Sequence, residues 1–472
     1  MRGLANAARA RSARIARIAF AYLRHPPGPP SRMHETLWYL IIGVVLLSMA
    51  VATSALRHLP CSSAMIYLAL GIALGPSGAG LLHLDIERDA VLLREIVEVA
   101  LLVSLFAIGL RLRVPLSDKL WLVPCRLGLL AMIVTVPLLA GCAVLTLGLG
   151  WGPALLIAAI LAPTDPVLAH DVQVHDPGDR DLVRFALSGE GGLNDGIALP
   201  FALAALALCG ARDTPHGPPA LSGTFALFAL WGIVGAAAIG GALGAATTKA
   251  IGWLRIRYAQ ALGFEGFFAL ALIALSYGAA QLAHTFGFIA TFAAGVAMRR
   301  VEHRASGDRR PREVIGRIDS EDVVATEKHP EKVHAFMAES VLDFTIELER
   351  IAEALVMTMI GSVLATLSAP LVTWSAAALA LLLFAAVRPV AVLLTLTGSR
   401  ATHAQRRLMG WFGIRGIGSF YYLLFALEHA PSSAVRPLAA PVLAVVCASV
   451  IVHGVSATPL MEWYYRLQHR RR

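Results

Sequence analysis

The feature that most constrains this chain is a succession of about thirteen apolar runs, most of them long enough to cross a lipid bilayer. A helix needs about 20 apolar residues to span the hydrocarbon core. Hydrophobic residues make up 57% of the sequence and charged residues only 15%, against about 25% charged in soluble domains. The sequence therefore predicts an all-α integral membrane protein with about 13 transmembrane helices. The predicted spans are residues 36–57, 62–82, 93–111, 120–147, 151–171, 182–209, 222–248, 262–282, 285–299, 345–367, 370–397, 407–427 and 435–460.

The charges of the connecting loops predict the orientation of these helices. Basic loops such as RLRVPLSDK (111–119) and GSRATHAQRR (398–407) alternate with uncharged loops such as TLSAPLVTW (366–374). Because Lys and Arg stay on the cytoplasmic side, the C-terminus is expected in the cytoplasm and the protein in the plasma (inner) membrane. Thirteen spans then place the N-terminus outside, in conflict with the seven arginines of residues 1–32. We interpret residues 1–35 as a surface segment, a transit-type sequence or a start placed too early, and favour the third.

The distribution of charged residues also predicts how the rest of the chain is divided. Residues 36–465 are the predicted membrane domain, and residues 466–472 are a basic cytoplasmic tail. Within the membrane domain, residues 299–340 carry charges of both signs, which predicts a solvated cytoplasmic loop. No CxxC spacing indicates a metal or redox site, and no basic soluble module indicates a nucleic-acid partner.

The fifth predicted span contains an expected helix break with an acid at its centre. In LAPTDPV, Pro163 and Pro166 bracket Thr164 and Asp165. Each proline lacks an N–H and clashes with the carbonyl four residues before it, so the helix should break and leave carbonyls free. Irregular backbone at membrane depth is tolerated only inside protein or along a wet cavity. The pattern indicates an ion-binding site of the kind found in transporters, with a proline kink capped by Asp as the structural alternative.

The sixth predicted span carries SGEGGLNDG in the middle of an apolar run. A charged side chain at that depth costs at least about 2.5–3.5 kcal/mol. Residues three, four and seven apart share a helix face, so Ser188, Gly191 and Asp195 align, whereas Glu190 and Asn194 lie on a neighbouring face. We expect Asp195 to face a cavity and Glu190 to meet a cation from another helix. Asn194 also fits a polar contact between helices.

Two arginines inside later spans are candidate partners for Glu190. Arg415 lies between glycines in GWFGIRGIGSFYY, and Arg388 lies in LLLFAAVRPVAVLL. A buried charge is tolerable when it is paired and hydrogen-bonded. We expect Glu190 and Arg415 to form a structural ion pair, a second helix break around Arg415, and Arg388 to neutralise freed carbonyls. Glu265 and Glu353 lie near predicted span ends and are expected to be packing groups.

These motifs together resemble a known family. LAPTDPV, followed closely by SGEGGLNDG and later by GIRGIGSFYY, resembles the monovalent cation:proton antiporter-1 family, which includes bacterial sodium/proton exchangers of the NhaP type. The resemblance covers roughly residues 36–465. It implies thirteen spans arranged as inverted repeats, with a dimerisation domain and two crossed, broken helices in the transport core. It also implies that Asp195 carries the ion and the proton, that Asp165 is the second carboxylate and that the Thr164 carbonyl is a further ligand.

The same resemblance extends to the neighbouring polar residues. Asn194 is similar to the residue that marks electroneutral exchange, and Glu190 and Arg415 are similar to the family's structural ion pair. One departure is Gly191, where the family often has a serine that ligates the ion. We expect water or Ser188, two turns away, to take the place of that hydroxyl.

The sequence therefore predicts a secondary active antiporter and not an enzyme. It is expected to exchange a monovalent cation for H⁺ by alternating access in the lipid bilayer, without a cofactor. The resemblance implies that the exchange is electroneutral and that the protein is a homodimer. Na⁺ is the first candidate, with Li⁺ and K⁺ as alternatives. A cation channel is the second interpretation, but it would need a selectivity filter or a ring of charges, and the sequence shows neither. A proton-coupled solute symporter is the third interpretation. An intramembrane aspartyl protease using Asp165 and Asp195 leaves Arg415 unexplained.

Overall fold

The regular secondary structure is helical, without a strand, in the part of the chain that the structure, a computed structural model, describes. The described residues are residue 43 and residues 62–168, 172–211, 222–258, 263–316, 329–367 and 369–469. From residue 62 onward they belong to one unit, Pro60–Arg472. The predicted N-terminal segment 1–35 and the first predicted span, 36–57, lie outside the described residues.

Fourteen helices follow one another along these described ranges. They are α1 (Ser63–Leu74), α2 (Ala90–Arg111), α3 (Lys119–Leu147), α4 (Trp151–Leu161), α5 (Leu182–Leu208), α6 (Gly223–Tyr258), α7 (Glu265–Leu282), α8 (Gly287–Ser306), α9 (Pro311–Ile315), α10 (Val333–Val363), α11 (Trp374–Thr395), α12 (His403–Trp411), α13 (Ile417–His429) and α14 (Ser432–His469). Six of them, α3, α5, α6, α7, α11 and α14, are long and apolar enough to cross a membrane. The all-helical prediction is confirmed, whereas the number of thirteen spans stays a prediction.

Two sets of elements repeat the same features in the same order: a helix with a π-helical turn, a break and a long helix. In the first set, α3 contains a π-helical turn at Arg126–Leu130, α4 ends at a break, and α5 is long with an internal proline. In the second, α11 contains a π-helical turn at Leu383–Val387, α12 and α13 flank a break, and α14 is long with internal prolines. The first set begins after a basic loop and the second after an uncharged loop, so the positive-inside rule gives them opposite orientations. This is the pattern of an inverted repeat.

Two helices extend into segments that the sequence analysis assigned to loops. Helix α8 continues to Ser306, and Arg299 and Glu302 near its end are fully buried. Arg113 pairs with Glu302 at 2.8 Å, and Arg299 pairs with Glu339 at 2.9 Å. The expectation of a solvated loop is therefore wrong for these residues, because their opposite charges neutralise one another inside the protein.

Helix α10 begins at Val333 rather than at residue 345. Glu353 therefore lies well inside a long helix and not near its end, so that expectation is wrong. The hydropathy pattern missed the start because the first turns of α10 contain His334 and Glu339, which reduce the apolar character of a segment that is nevertheless helical.

Helices α1 and α10 are in direct backbone contact. A Cβ at Gly71 would lie 2.2 Å from the main-chain oxygen of Thr358, and one at Gly361 would lie 2.3 Å from that of Leu68. Only glycine permits such an approach, and small residues are the usual means by which membrane helices pack closely. The contact holds Ser63, at the start of α1, beside the central part of α10.

Candidate ion-binding site

Two helix breaks cross at the centre of the candidate site. Helix α4 ends at Leu161, and a short 3₁₀ turn begins at Pro166, which confirms the predicted break. The second break separates Trp411 at the end of α12 from Ile417 at the start of α13. The breaks are joined by backbone hydrogen bonding, since the N–H of Asp165 donates to the main-chain oxygen of Ile414 at 2.8 Å.

The helix ends at this crossing are matched by side-chain charges. The carboxylate of Asp165 accepts hydrogen bonds from the N–H of Val167 at 3.0 Å and from the N–H of Ile417, the first residue of α13, at 3.1 Å. A helix N-terminus carries a partial positive charge and favours an anion. The position of Asp165 is therefore fixed by both broken segments. One hydrogen bond comes from its own turn and the other comes from the start of α13.

Arg415 occupies the opposite helix end. Its Nη1 donates to the main-chain oxygens of Ala162 and Pro163, the second at 3.0 Å. These carbonyls lie at the C-terminal end of α4, where the partial charge is negative and favours a cation. The N–H of Arg415 donates in turn to Ser449 Oγ at 2.7 Å. Arg415 therefore stabilises the carbonyls that the first break leaves without helical partners.

The structure corrects the predicted partner of Glu190. The Glu190 carboxylate forms a bidentate ion pair with Arg388, in which Nη1 contacts Oε1 and Nη2 lies 2.7 Å from Oε2. The predicted Glu190–Arg415 pair is wrong, and the two arginines exchange the roles expected of them. The reason is positional: Arg415 lies within the second break, across from the free carbonyls, whereas Arg388 follows the π turn of α11. Arg388 also donates to the main-chain oxygen of Met409 at 3.1 Å.

Asp195 lies on α5 against the first turn of α13. A Cβ at Gly418 would lie only 2.5 Å from Asp195 Oδ1, so glycine is required for this approach. The Asp195 side chain is buried, and within the described residues Oδ1 has no hydrogen-bond partner. A Cβ at Gly416, two residues before Gly418, would lie 3.0 Å from Asp165 Oδ2, so both carboxyl groups lie against the start of α13. Two carboxyl groups are thus brought together, and one of them has a free oxygen.

Further oxygen atoms at the crossing come from Asn194, Thr164 and Ser419. Asn194 Nδ2 donates to Thr164 Oγ1 at 2.7 Å and to the Thr164 main-chain oxygen at 3.4 Å. In the part of the chain that the structure describes, Asn194 Oδ1 and Ser419 Oγ are buried without a partner. Buried polar atoms without partners call for a water or an ion. Carboxylate, hydroxyl and carbonyl oxygens at broken helices are the groups that hold monovalent cations in transporters.

Comparison with known proteins agrees with this geometry. A model of the family described as "Sodium/hydrogen exchanger, transmembrane" matches residues 43–463. The chain belongs to the sodium/hydrogen exchanger family. This confirms the resemblance to cation/proton antiporters, and it fits a transporter rather than an enzyme.

Individual relatives give the same result. The K⁺/H⁺ antiporter NhaP of Alkalimonas amylolytica is 31% identical over 165 residues, which are 34% of this chain and 28% of that antiporter. Two structures of the sodium proton antiporter MjNhaP1 from Methanocaldococcus jannaschii share the fold. One, at pH 8, has a TM-score of 0.66 at 17% identity and covers 91% of this chain and 98% of its own. The other, a three-dimensional electron microscopy map, has a TM-score of 0.64 at 16% identity and covers 90% of this chain and 97% of its own. The two structures show the shared fold, and membership of the sodium/hydrogen exchanger family does not favour the channel or symporter alternatives.

Two cavities of this exchanger-family chain lie near the crossing. A small one of about 10 Å³ is lined by Thr164 and Asp165 and has room for about one water molecule. A larger one of about 220 Å³ includes Gly196, the residue after Asp195, and is lined farther out by Glu98 and Glu428. The larger cavity lies toward the Leu208 end of α5, which the loop charges place outside. Asp195 itself is not among the residues that line this cavity.

Ser188 does not take the place of the missing serine at Gly191. Its Oγ accepts a hydrogen bond from the N–H of Val174 at 3.0 Å. Seven residues separate Ser188 from Asp195, or about 10.5 Å along the helix. The expectation that Ser188 ligates the ion is not supported by this position. The sequence analysis missed Ser419, whose signal was its place just after the GIRGIG run.

Proposed function

We propose that this protein exchanges a monovalent cation for H⁺ at the crossing of the two broken helices. The observation that carries the proposal is the position of Asp195, a buried carboxylate with a free oxygen beside Asp165 and the start of α13. Asp195 would bind the cation or the proton. Asp165, the Thr164 carbonyl and Asn194 Oδ1 would complete the site, and Ser419 Oγ is added to the predicted set.

Competition between the cation and the proton follows from charge. Two carboxylates close together cannot both stay ionised without a counter-charge. A bound cation supplies that charge, and a bound proton removes the need for it. Either one excludes the other from Asp195, so transport of one requires release of the other. Alternating access of the site to the two sides then converts this competition into exchange.

The charges buried at the crossing support one-for-one exchange. Asp165 and Asp195 contribute two negative charges and Arg415 contributes one positive charge, whereas the Glu190–Arg388 pair is neutral in itself. One cation or one proton brings the sum to zero in both loaded states. Because an uncompensated charge in the membrane interior is costly, the neutral states are favoured for crossing. We therefore propose electroneutral exchange, with Asn194 supplying a ligand without adding a charge.

Na⁺ is the proposed cation, with K⁺ and Li⁺ as alternatives. The name of the Alkalimonas relative favours K⁺ and that of the Methanocaldococcus structure favours Na⁺. We further propose a homodimer in the plasma membrane with a cytoplasmic C-terminus, without a cofactor. Native mass spectrometry of the purified protein tests the dimer, and a monomer at membrane-like concentrations would exclude it.

The activity is tested in everted membrane vesicles with an acidified lumen and a pH-sensitive dye. Na⁺, K⁺ and Li⁺ are added in turn to vesicles that contain the wild type, the Asp195→Asn variant or no exchanger. The proposal predicts cation-dependent alkalinisation of the lumen in the wild type alone, and the half-saturating concentrations rank the ions. No response to any cation, with normal amounts of protein in the membrane, would contradict the proposed function.

A further inference from the structure

The chain that follows the first break lies between the ion site and the cytoplasm. Residues 172–174, here called the inner segment, are at most 4% exposed. Val172 lines the small cavity of about 10 Å³ beside Asp165, together with Leu187 of α5. Leu187 lies eight residues before Asp195, or about 12 Å nearer the start of α5, which the loop charges place in the cytoplasm. A cavity that holds about one water molecule is too small for a hydrated cation to pass.

The inner segment is held by hydrogen bonds from two directions. The N–H of Val174 donates to Ser188 Oγ of α5 at 3.0 Å, so the segment is attached to the first set of repeated helices. Gln173 Oε1 accepts a hydrogen bond from Arg111 Nη1 at 2.8 Å. Arg111 is the last residue of α2, which lies outside both repeated sets. The inner segment therefore joins the set that carries Asp195 to a helix outside that set.

Arg111 is held in place independently of Gln173. Its Nη2 pairs with the carboxylate of Glu349 in α10, which also accepts a hydrogen bond from Ser104 Oγ at 3.1 Å. Arg111 and Glu349 are both buried. Separating a buried ion pair leaves an uncompensated charge, so the pair stays together. Arg111 is thus anchored to α2 and α10, and Gln173 is the partner that is free to leave.

The contact between Arg111 and Gln173 leaves polar atoms without partners. Within the described ranges, Arg111 Nε and Gln173 Nε2 are buried and make no hydrogen bond. Unpaired buried donors are costly, and water would pair with both of them if the inner segment moved away. One charge-assisted hydrogen bond therefore holds the segment in place against the hydration of two donors. Such a balance favours two arrangements of similar free energy, which is the property of a gate.

We propose that Arg111 is a positioning residue that closes the cytoplasmic route to the ion site by holding Gln173, and that this hydrogen bond breaks each time the site opens to the cytoplasm. Val174 moves with α5, because its hydrogen bond lies within the repeated set. Arg111 stays with α2 and α10. The inner segment then uncovers Asp165, and water hydrates the Arg111 and Gln173 side chains. This inference rests on the proposed function, since it assigns a cytoplasmic gate to the same site.

The test measures how fast a membrane-impermeant maleimide labels Leu187→Cys from the cytoplasmic side, in everted vesicles. The full-length protein is used, with its native cysteines replaced by serine. Gln173→Met keeps the size of the side chain but removes the oxygen that Arg111 binds, so it destabilises the closed arrangement alone. The labelling rate should rise about tenfold, the effect of one hydrogen bond to a charged group. Gln173→Glu, the matched control, keeps an acceptor oxygen and should label no faster than Gln173. An unchanged rate in Gln173→Met, or an equal rise in Gln173→Glu, would overturn the proposal.

Labelling from the other side of the membrane separates a gate from a merely structural contact. Leu199 lines the larger cavity, at the outer side of Asp195. In Gln173→Met, labelling of Leu199→Cys from outside should fall, because alternating access couples opening on one side to closing on the other. A rise at both Leu187→Cys and Leu199→Cys would indicate loosened packing and would overturn the proposal.

Arg111→Lys is the second variant if Gln173→Met fails to fold. Lysine keeps the charge that pairs with Glu349 but lacks the planar fork that holds two partners. Labelling of Leu187→Cys from the cytoplasmic side should rise as in Gln173→Met, and an unchanged rate would overturn the proposal. Failure of the proposed function has a different signature, namely a wild type without cation/proton exchange that depends on Asp195, whatever the labelling rates.

Discussion

The Glu190–Arg388 ion pair gives the sharpest structural prediction, because the sequence alone favoured Arg415 as the partner. Both side chains of the observed pair are almost fully buried, with 2% and 3% of their surface exposed. Replacing one partner of a buried pair leaves an uncompensated charge and costs about 3–5 kcal/mol. Glu190→Gln and Arg388→Gln should each destabilise the protein by this amount. The double variant buries no charge at the pair, so it should lose much less than the sum of the two single variants.

The expected shift in melting temperature follows from the size of the chain. Unfolding entropy is about 2.1 cal/mol/K per residue, so a chain of 472 residues shifts by about 1 °C per kcal/mol. Each single variant should melt about 3–5 °C lower in detergent, by differential scanning fluorimetry, and the double variant should recover several degrees. The matched control is the cycle of Glu190→Gln with Arg415→Gln, which should be close to additive. Additive Glu190–Arg388 effects together with strong coupling between Glu190 and Arg415 would refute the assignment.

Three further predictions concern transport. Gly418→Ala should raise the apparent KM for Na⁺ by at least about tenfold, because its Cβ displaces the Asp195 carboxylate. The control is Gly141→Ala, whose Cβ meets nothing within 4 Å and which should leave transport unchanged. Equal effects of the two substitutions would argue against a steric cause. Ser419→Ala should raise the apparent KM with little change in the melting temperature, whereas an unchanged KM would remove Ser419 from the site. The apparent KM of the wild type should rise as the pH falls, by up to about tenfold per pH unit where one proton is displaced, and a KM that does not vary with pH would exclude competition.

The sequence predicted the parts of the site that depend on local chemistry. The break around Asp165 follows from two prolines that remove helical hydrogen bonds, and the glycines around Arg415 allowed the second break. The cost of an acid in an apolar run drew attention to Asp195 and Glu190. These arguments need only the residues within one span, and the structure agrees with them.

The parts that were not predicted depend on which spans meet. The separation of residues along the sequence cannot decide which of two intramembrane arginines reaches Glu190, because that depends on how the helices of the two repeats cross. Ser188 shares a helix face with Asp195, but that face also meets the Val174 segment, which takes its hydroxyl. Glu353 was misjudged because the start of α10 is polar. The predicted span therefore began at residue 345 and placed Glu353 near a span end, whereas the helix begins at Val333.

The central claim is that the cation and the proton compete for Asp195 at the crossing of the broken helices. Its most direct test is uptake of radioactive Na⁺ into proteoliposomes of purified protein, driven by an acidic lumen and with the membrane potential clamped at zero. The account predicts accumulation by the wild type, a rate that does not change when a potential is imposed, and no uptake by Asp195→Asn in correctly folded protein. Uptake by Asp195→Asn at the wild-type rate would contradict the account.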